Sequence, residues 1–290
     1  MVVPKLADVL SAAAATLESQ GRAALCQIVR TEGSTPGKPG WKLLVRPDGT
    51  VFGNLGGGAF EALVTADALS KLRQERAETE VKRYYFTETA VRGEPTGMVC
   101  GGLAEVFLEV LATPPLLVVC GGGPVGQAVA RAGDLAGFDV LVADDRPAFR
   151  EPHRFPPATR FAAVDRAHAG DFLAPYAGRE LYVATVSRCW ETDLAALESV
   201  LRQAPPRLRY LGLMGSRRKV ARVRSELAAH GFDAERAGLR APIGLPIGGD
   251  SPGEIAISIL AEVVAARHDP ATATAAAVPS PPAVEVVDAG

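Results

Sequence analysis

The chain has 290 residues, 48% hydrophobic and 22% charged, with 31 Lys and Arg against 33 Asp and Glu for a net charge of −2. That length allows about two domains with self-sufficient cores, and the balanced charge excludes a general attraction to nucleic acid or to an anionic membrane, so any anion site must be local. No apolar run approaches the roughly 18 residues of a membrane span, and Met1-Val2-Val3-Pro4-Lys5 lacks a signal-peptide pattern, so a cytoplasmic protein is expected.

Leu6 to Gln20 reads as a helix stopped by Gly21, and Ala23 to Val29 as a strand. Gly33 to Gly40 is a loop of glycines and prolines. Trp41 to Val45 and Val51-Phe52 flank the hairpin signal Pro47-Asp48-Gly49. Gly56-Gly57-Gly58 leads into a helix predicted from Ala59 to about Arg76, and Val81 to Thr87 and Leu103 to Val110 are further strands. This pattern predicts a small α/β (α+β) domain over 1–112, ended by the linker Thr113-Pro114-Pro115. From Leu116 the pattern alternates. Strands are predicted at Leu116 to Cys120, Val140 to Ala143, Arg160 to Val164, Leu181 to Val186 and Tyr210 to Met214, with helices between several of them. Such alternation predicts a Rossmann-like parallel-sheet domain over 116–268. Its last helix, Pro252 to about Arg267, opens on the capping box Ser251-x-x-Glu254. The Ala- and Pro-rich segment 269–290 is expected to be disordered.

Leu117-Val118-Val119-Cys120-Gly121-Gly122-Gly123-Pro124-Val125-Gly126 places G-x-G-x-x-G between a strand and a helix, with Asp144-Asp145 about 20 residues on. In this fingerprint Gly121 permits the turn, Gly123 lets a pyrophosphate approach the backbone, Gly126 brings helix and strand close, and Asp144 can bind a ribose hydroxyl. Arg146 could instead accommodate a 2′-phosphate, and a Rossmann turn without a ligand is the plainer reading. At Gly215-Ser216-Arg217-Arg218-Lys219 three cations start a helix against its dipole, which suits a phosphate or carboxylate ligand, or else a solvated surface. The triplet Gly56, Gly57 and Gly58 before Glu61 signals close backbone approach, or a tight turn alone.

Of the four cysteines, Cys26 and Cys120 sit in apolar runs and read as packing residues; Cys189 follows a strand and reads as a buried inert thiol, or else as a residue at the C-terminal sheet edge where open α/β folds bind ligands. Cys100, followed by Gly101-Gly102, reads as an accessible thiol or soft-metal ligand. With no C-x-x-C pair, free thiols are expected. The sequence has no nucleophile elbow, triad or H-E-x-x-H, so no catalytic residue is assigned.

Taken together, the chain resembles the xanthine dehydrogenase accessory factor family (XdhC/CoxI type). The matching stretches are Glu32-Gly33-Ser34-Thr35-Pro36, Gly56-Gly57-Gly58-x-x-Glu61, Met98-x-Cys100-Gly101-Gly102, Gly121 to Gly126, Asp144-Asp145-Arg146-Pro147, Gly215 to Lys219, Ala241 to Leu245 and Pro252-x-Glu254 to Ile259. The resemblance implies a non-enzymatic chaperone, usually a homodimer, that binds molybdenum cofactor (molybdopterin) and helps its sulfuration and insertion into a molybdenum hydroxylase such as xanthine dehydrogenase. A cysteine desulfurase is then a further partner. The implied cofactor site comprises Gly56, Gly57, Gly58, Cys100, Gly121, Gly123, Gly126, Asp144, Ser216, Arg217 and Arg218, with Cys100 on the metal. Many relatives have Thr-Arg-Gly-His where this chain has Ser187-Arg188-Cys189-Trp190, although Asp193 is kept. The alternative is an NAD(P)-dependent oxidoreductase using the same Rossmann turn.

Overall fold

Gly21, at φ 74, takes the left-handed conformation that ends α1 (Leu6–Gln20), as the sequence predicts. It does so in a computed structural model that describes residues 4–74, 79–86, 94–95, 101–164 and 172–268. The chain divides into two units, Met1–Thr113 and Pro114–Gly290.

In the first unit follow β1 (Arg22–Glu32), β2 (Lys42–Val45), β3 (Val51–Gly53), α2 (Gly58–Arg73), β4 (Thr79–Tyr85), β5 (Glu94–Pro95) and β6 (Leu103–Ala112). They form one six-stranded sheet in the order β3-β2-β1-β6-β4-β5. Alternate residues of β6, Ala104, Val106, Leu108 and Val110, are buried, as period two requires. They share a core with Phe60, Val64, Ala68 and Leu72 of α2. Ala13 of α1 packs with Ala23 and Leu44 in a smaller cluster. β1 runs past the predicted apolar segment because its pairing with β6 continues from Arg22↔Ala112 to Glu32↔Leu103. Backbone pairing, unlike burial, does not need an apolar side chain. α2 ends at Arg73, earlier than predicted, and residues 75–78 and Thr87 lie outside the described residues.

The second unit contains β7 (Leu116–Cys120), α3 (Pro124–Leu135), β8 (Asp139–Asp144), β9 (Arg160–Ala163), β10 (Leu181–Thr185), α4 (Trp190–Gln203), β11 (Leu208–Leu213), α5 (Arg217–Ala229) and α6 (Pro252–His268). Its five-stranded sheet is parallel throughout, in the order β11-β10-β7-β8-β9. β7 and β10 are buried at every residue, as strands covered on both faces must be. One face carries a core with Leu194, Leu197 and Val200 of α4 and Val223 and Leu227 of α5. The other packs Val129 and Ala130 of α3 with Ile259, Leu260 and Val263 of α6. The α6 capping box is reciprocal, with the Ser251 N–H donating to Glu254 Oε2 (3.0 Å) and the Glu254 N–H to Ser251 Oγ (3.3 Å). The fold is α/β, an N-terminal α/β (α+β) unit followed by a Rossmann-like unit. No helix among the described residues is long and apolar enough to cross a membrane. The expectation for 269–290 lies outside the described residues.

The chain lays down β7, β8 and β9 outward on one side and then returns to place β10 and β11 on the other. The strand order therefore reverses between β7 and β10. In open α/β sheets ligands bind at the carboxyl edge of such a switch point.

Candidate functional site

The glycine turn after β7 and the Ser187 loop after β10 meet at that switch point. Gly121 has φ 121, and a Cβ there would lie 2.8 Å from the Ser187 backbone. A Cβ on Gly126 would stand 1.7 Å from the Gly121 carbonyl oxygen, which is how α3 packs so close to its own turn. Both glycines are thus required by the chain itself. Gly123 is different. It has an ordinary φ of −67 as the N-cap of α3, and a Cβ there would meet nothing within 4 Å. Among the described residues nothing calls for a glycine at this position. Its bareness leaves the helix start open to close approach, which suits a phosphate group.

Asp144, at the end of β8, is buried with 1% exposure. It accepts from the Gly122 N–H (2.7 Å), the Arg146 N–H (2.9 Å) and the Arg146 side chain through Nε (2.9 Å) and Nη2 (3.0 Å). Burial pushes its acidity down, but Arg146 and the two backbone donors outweigh burial and hold the carboxyl below the usual range. Burial and the adjacent Asp144 push Asp145 the other way. The Arg146 guanidinium also lies 3.6 Å from the centre of the Phe149 ring. The sequence assigns Asp144 to a ribose hydroxyl, but here the chain's own donors engage both carboxylate oxygens. Arg146 is likewise held by Asp144.

On the far side of the switch point, Asp193 is wholly buried in the first turn of α4. Its Oδ1 accepts from the Ser187 N–H (3.1 Å), and its Oδ2 forms an ion pair with Lys219, whose Nζ also donates to the Ser187 carbonyl (2.9 Å). Burial raises Asp193 to about 6 despite Lys219 and the Ser187 donor. The sequence treats Arg217, Arg218 and Lys219 as one cluster, but the structure divides them. Lys219 is committed to Asp193, whereas Arg217 and Arg218 are exposed and form no ion pair or hydrogen bond among the described residues. Ser216 caps α5, its Oγ accepting from the Lys219 N–H at 3.3 Å. Between the starts of α4 and α5 lies an open cavity of about 940 Å³, whose lining includes Arg188, Cys189, Trp190, Ser216, Arg218 and Arg222. Cys189 is half-buried, not sequestered as the sequence reading has it, with Sγ 3.0 Å from Thr192 Oγ1. Sequence reasoning missed the Asp193–Lys219 bridge. Its one signal was an acid amid the small and apolar residues of α4.

In the N-terminal unit Gly56, Gly57 and Gly58 have φ 119, 76 and 65, a run that side chains disfavour. What Gly56 approaches is the chain, since a Cβ there would lie 2.7 Å from Pro36. The N–H groups of Leu55 (3.0 Å) and Gly57 (3.3 Å) donate to Glu61 Oε2, which explains the acid three residues after the triplet. The same 33–37 loop receives Gly102, whose Cβ would stand 2.2 Å from the Ser34 carbonyl oxygen. The N-terminal motifs thus gather around Gly33 to Gly37. Cys100 lies outside the described residues, among which no group of three His, Cys, Asp or Glu could hold a metal.

The XdhC Rossmann domain family matches residues 117–263, the unit that carries the switch point. The XdhC and CoxI family matches residues 16–84. The chain belongs to the XdhC family. This XdhC chain is 35% identical over 265 residues to YqeB of Escherichia coli (strain K12), covering 88% of the chain and 46% of that protein. It is 27% identical over 165 residues to a probable xanthine dehydrogenase subunit of Bacillus subtilis (strain 168), covering 56% of the chain and 46% of the relative. It therefore spans under half the length of these curated relatives. A solved structure described as a xanthine dehydrogenase from Bacillus halodurans aligns over 89% of the XdhC chain and 95% of its own, at 22% identity and a TM-score of 0.44.

Proposed function

We propose that the chain is a cytoplasmic maturation factor that binds molybdenum cofactor, assists its sulfuration and delivers it to a xanthine dehydrogenase-type apoenzyme, acting as a homodimer with a cysteine desulfurase as sulfur source. The observation that carries this reading is Gly123, bare where none of the described residues requires a glycine, at the open start of α3. Membership of the XdhC family and the name of the Bacillus subtilis relative support it. In this reading the N–H groups at the start of α3 hold the cofactor's phosphate, since a helix N-terminus favours an anion. Gly121 and Gly126 shape that turn, and across the switch point Ser216 caps α5 while Arg217 and Arg218 supply positive charge. Cys100 provides a soft donor for molybdenum. Gly56, Gly57 and Gly58 form the turn that packs on the 33–37 loop, with Gly56 against Pro36. The cofactor, when bound, supplies the redox metal that the client enzyme needs, and the chaperone's own residues bind, shield and release it.

The glycine turn also favours a second reading, an NAD(P)-dependent oxidoreductase. That reading asks Asp144 to offer oxygen to a ribose, yet Gly122 and Arg146 already engage it. The test is metal analysis and mass spectrometry of the chain purified from a host that makes molybdenum cofactor. Wild type should carry pterin and molybdenum, and Gly123→Val and Cys100→Ala should lose most of both while remaining folded. Bound nicotinamide nucleotide without pterin would establish the second reading instead.

A further inference from the structure

On the half of the switch-point edge over β10 and β11, the start of α5 carries a charge pattern that helix starts ordinarily avoid. Helix N-termini are electropositive, so cations there are unfavourable unless an anion joins them. Arg188 stands just before the α4 cap, and Arg217 and Arg218 open α5. Arg188 and Arg218 line the same cavity of about 940 Å³, are exposed, and have no ion pair or hydrogen bond among the described residues. Arg222 adds a third cation to the wall, held 4.9 Å from the centre of the Trp190 ring and 2.9 Å from Glu226. The Asp193–Lys219 pair ties the two helix starts together, so the backbone positions that carry Arg188 and Arg218 are set before any ligand arrives. Of the two acids in the first turn of α4, Asp193 is spent on Lys219, and Glu191 is the one carboxylate on the cavity wall, facing Arg188, Arg218 and Arg222, so the wall keeps an excess of positive charge.

In a dinucleotide-binding fold this half of the edge receives the second nucleotide. A positively charged nicotinamide ring would be repelled by Arg188, Arg218 and Arg222. We propose that the cavity between the starts of α4 and α5 is a second oxyanion-binding half-site, which takes a phosphate-type or equally charged terminal group. The ligand of this fold is then anionic at both ends. This extends the reading above, in which the glycine turn holds the first phosphate.

The experiment is calorimetric titration of the full chain with inorganic pyrophosphate at low salt. Wild type should show two binding events. The pair Arg188→Ala and Arg218→Ala should lose one and keep the other, whereas Gly123→Val should keep the cavity event and lose the one at the turn. Both arginines are exposed, so the fold should survive; the single variants Arg188→Gln and Arg218→Gln, each weakening the same event, serve if the pair does not. Arg236→Ala, an exposed cation elsewhere in the second unit, should leave both events unchanged. The proposal is overturned if the arginine pair titrates like wild type, if wild type shows no event beyond the one that Gly123→Val removes, or if Arg236→Ala weakens binding equally. If the arginine pair removes one event but Gly123→Val changes nothing, the half-site stands and the glycine-turn reading fails.

Discussion

Asp193 and Lys219 form an ion pair that joins the first turns of α4 and α5, with the carboxylate 0% and the lysine side chain 16% exposed. Burial favours the neutral acid and lifts Asp193 to about 6, above the roughly 3.9 of an unfolded chain. The folded state therefore keeps a proton that the unfolded state releases. The stability contributed by this group is fully present below about pH 4 and is lost as pH rises through about 6. Asp193→Asn retains an oxygen for the Ser187 N–H and removes the titration. In urea unfolding, the stability of wild type relative to Asp193→Asn should fall between about pH 4 and pH 6 and level off above. A difference independent of pH would refute the assignment.

Lys219→Met leaves that buried carboxylate without its counterion. Breaking a buried pair from one side typically costs about 3 kcal/mol or more. The variant should unfold at distinctly lower urea. Arg217→Ala, one turn position away but exposed and unpaired, should shift stability by less than about 0.5 kcal/mol.

The glycines of the turn should separate by role. Gly126→Ala drives a methyl into the Gly121 carbonyl and should cost on the order of 2 kcal/mol. Gly123→Ser meets open space and supplies a better helix cap, so the ligand-free protein should hold its stability or gain a few tenths of a kcal/mol. The same variant should bind pyrophosphate more weakly, because its side chain enters the approach to α3. Weaker binding without lost stability is the pattern of a position kept bare for a ligand. Undiminished binding in the serine variant would leave the glycine unexplained.

Much of the scaffold was legible because its signals are local. The apolar runs of β7 and β10, the glycine stop after α1 and the Ser251–Glu254 box each declare themselves within a few residues. The roles of Gly121 and Gly126 could be anticipated because a fingerprint ties them to one turn. What was hidden depends on partners distant in sequence. Glu32 lies beyond the predicted strand until Leu103 pairs with it, and Gly56 reads as a binding glycine until Pro36 fills its open side. Lys219 looks like its two neighbours because only the fold brings Asp193 to it. Asp144 looks free because Arg146 reaches back to it through a side-chain conformation that spacing does not encode.

Cysteine chemistry should follow burial and local charge. Cys26 and Cys120 are fully buried, and burial pushes Cys26 to about 12 and Cys120 further still, so neither presents a usable thiolate near neutral pH. Cys189 is half-buried and lines the cavity with Arg188, Arg218 and Lys219. Limiting alkylation of the native chain followed by peptide mapping should therefore modify Cys189 and spare Cys26 and Cys120. The surrounding cations should also steer anionic reagents inward. Iodoacetate should react with Cys189 faster, relative to neutral iodoacetamide, than it does with a free thiol in solution. That preference should shrink as salt approaches about 1 M, where the Debye length falls to roughly 3 Å. It should disappear in the Arg188→Ala, Arg218→Ala pair while the iodoacetamide rate holds. Equal reagent preference in wild type and in that pair would mean that the arginines exert no field on the cavity, whatever their place on its wall.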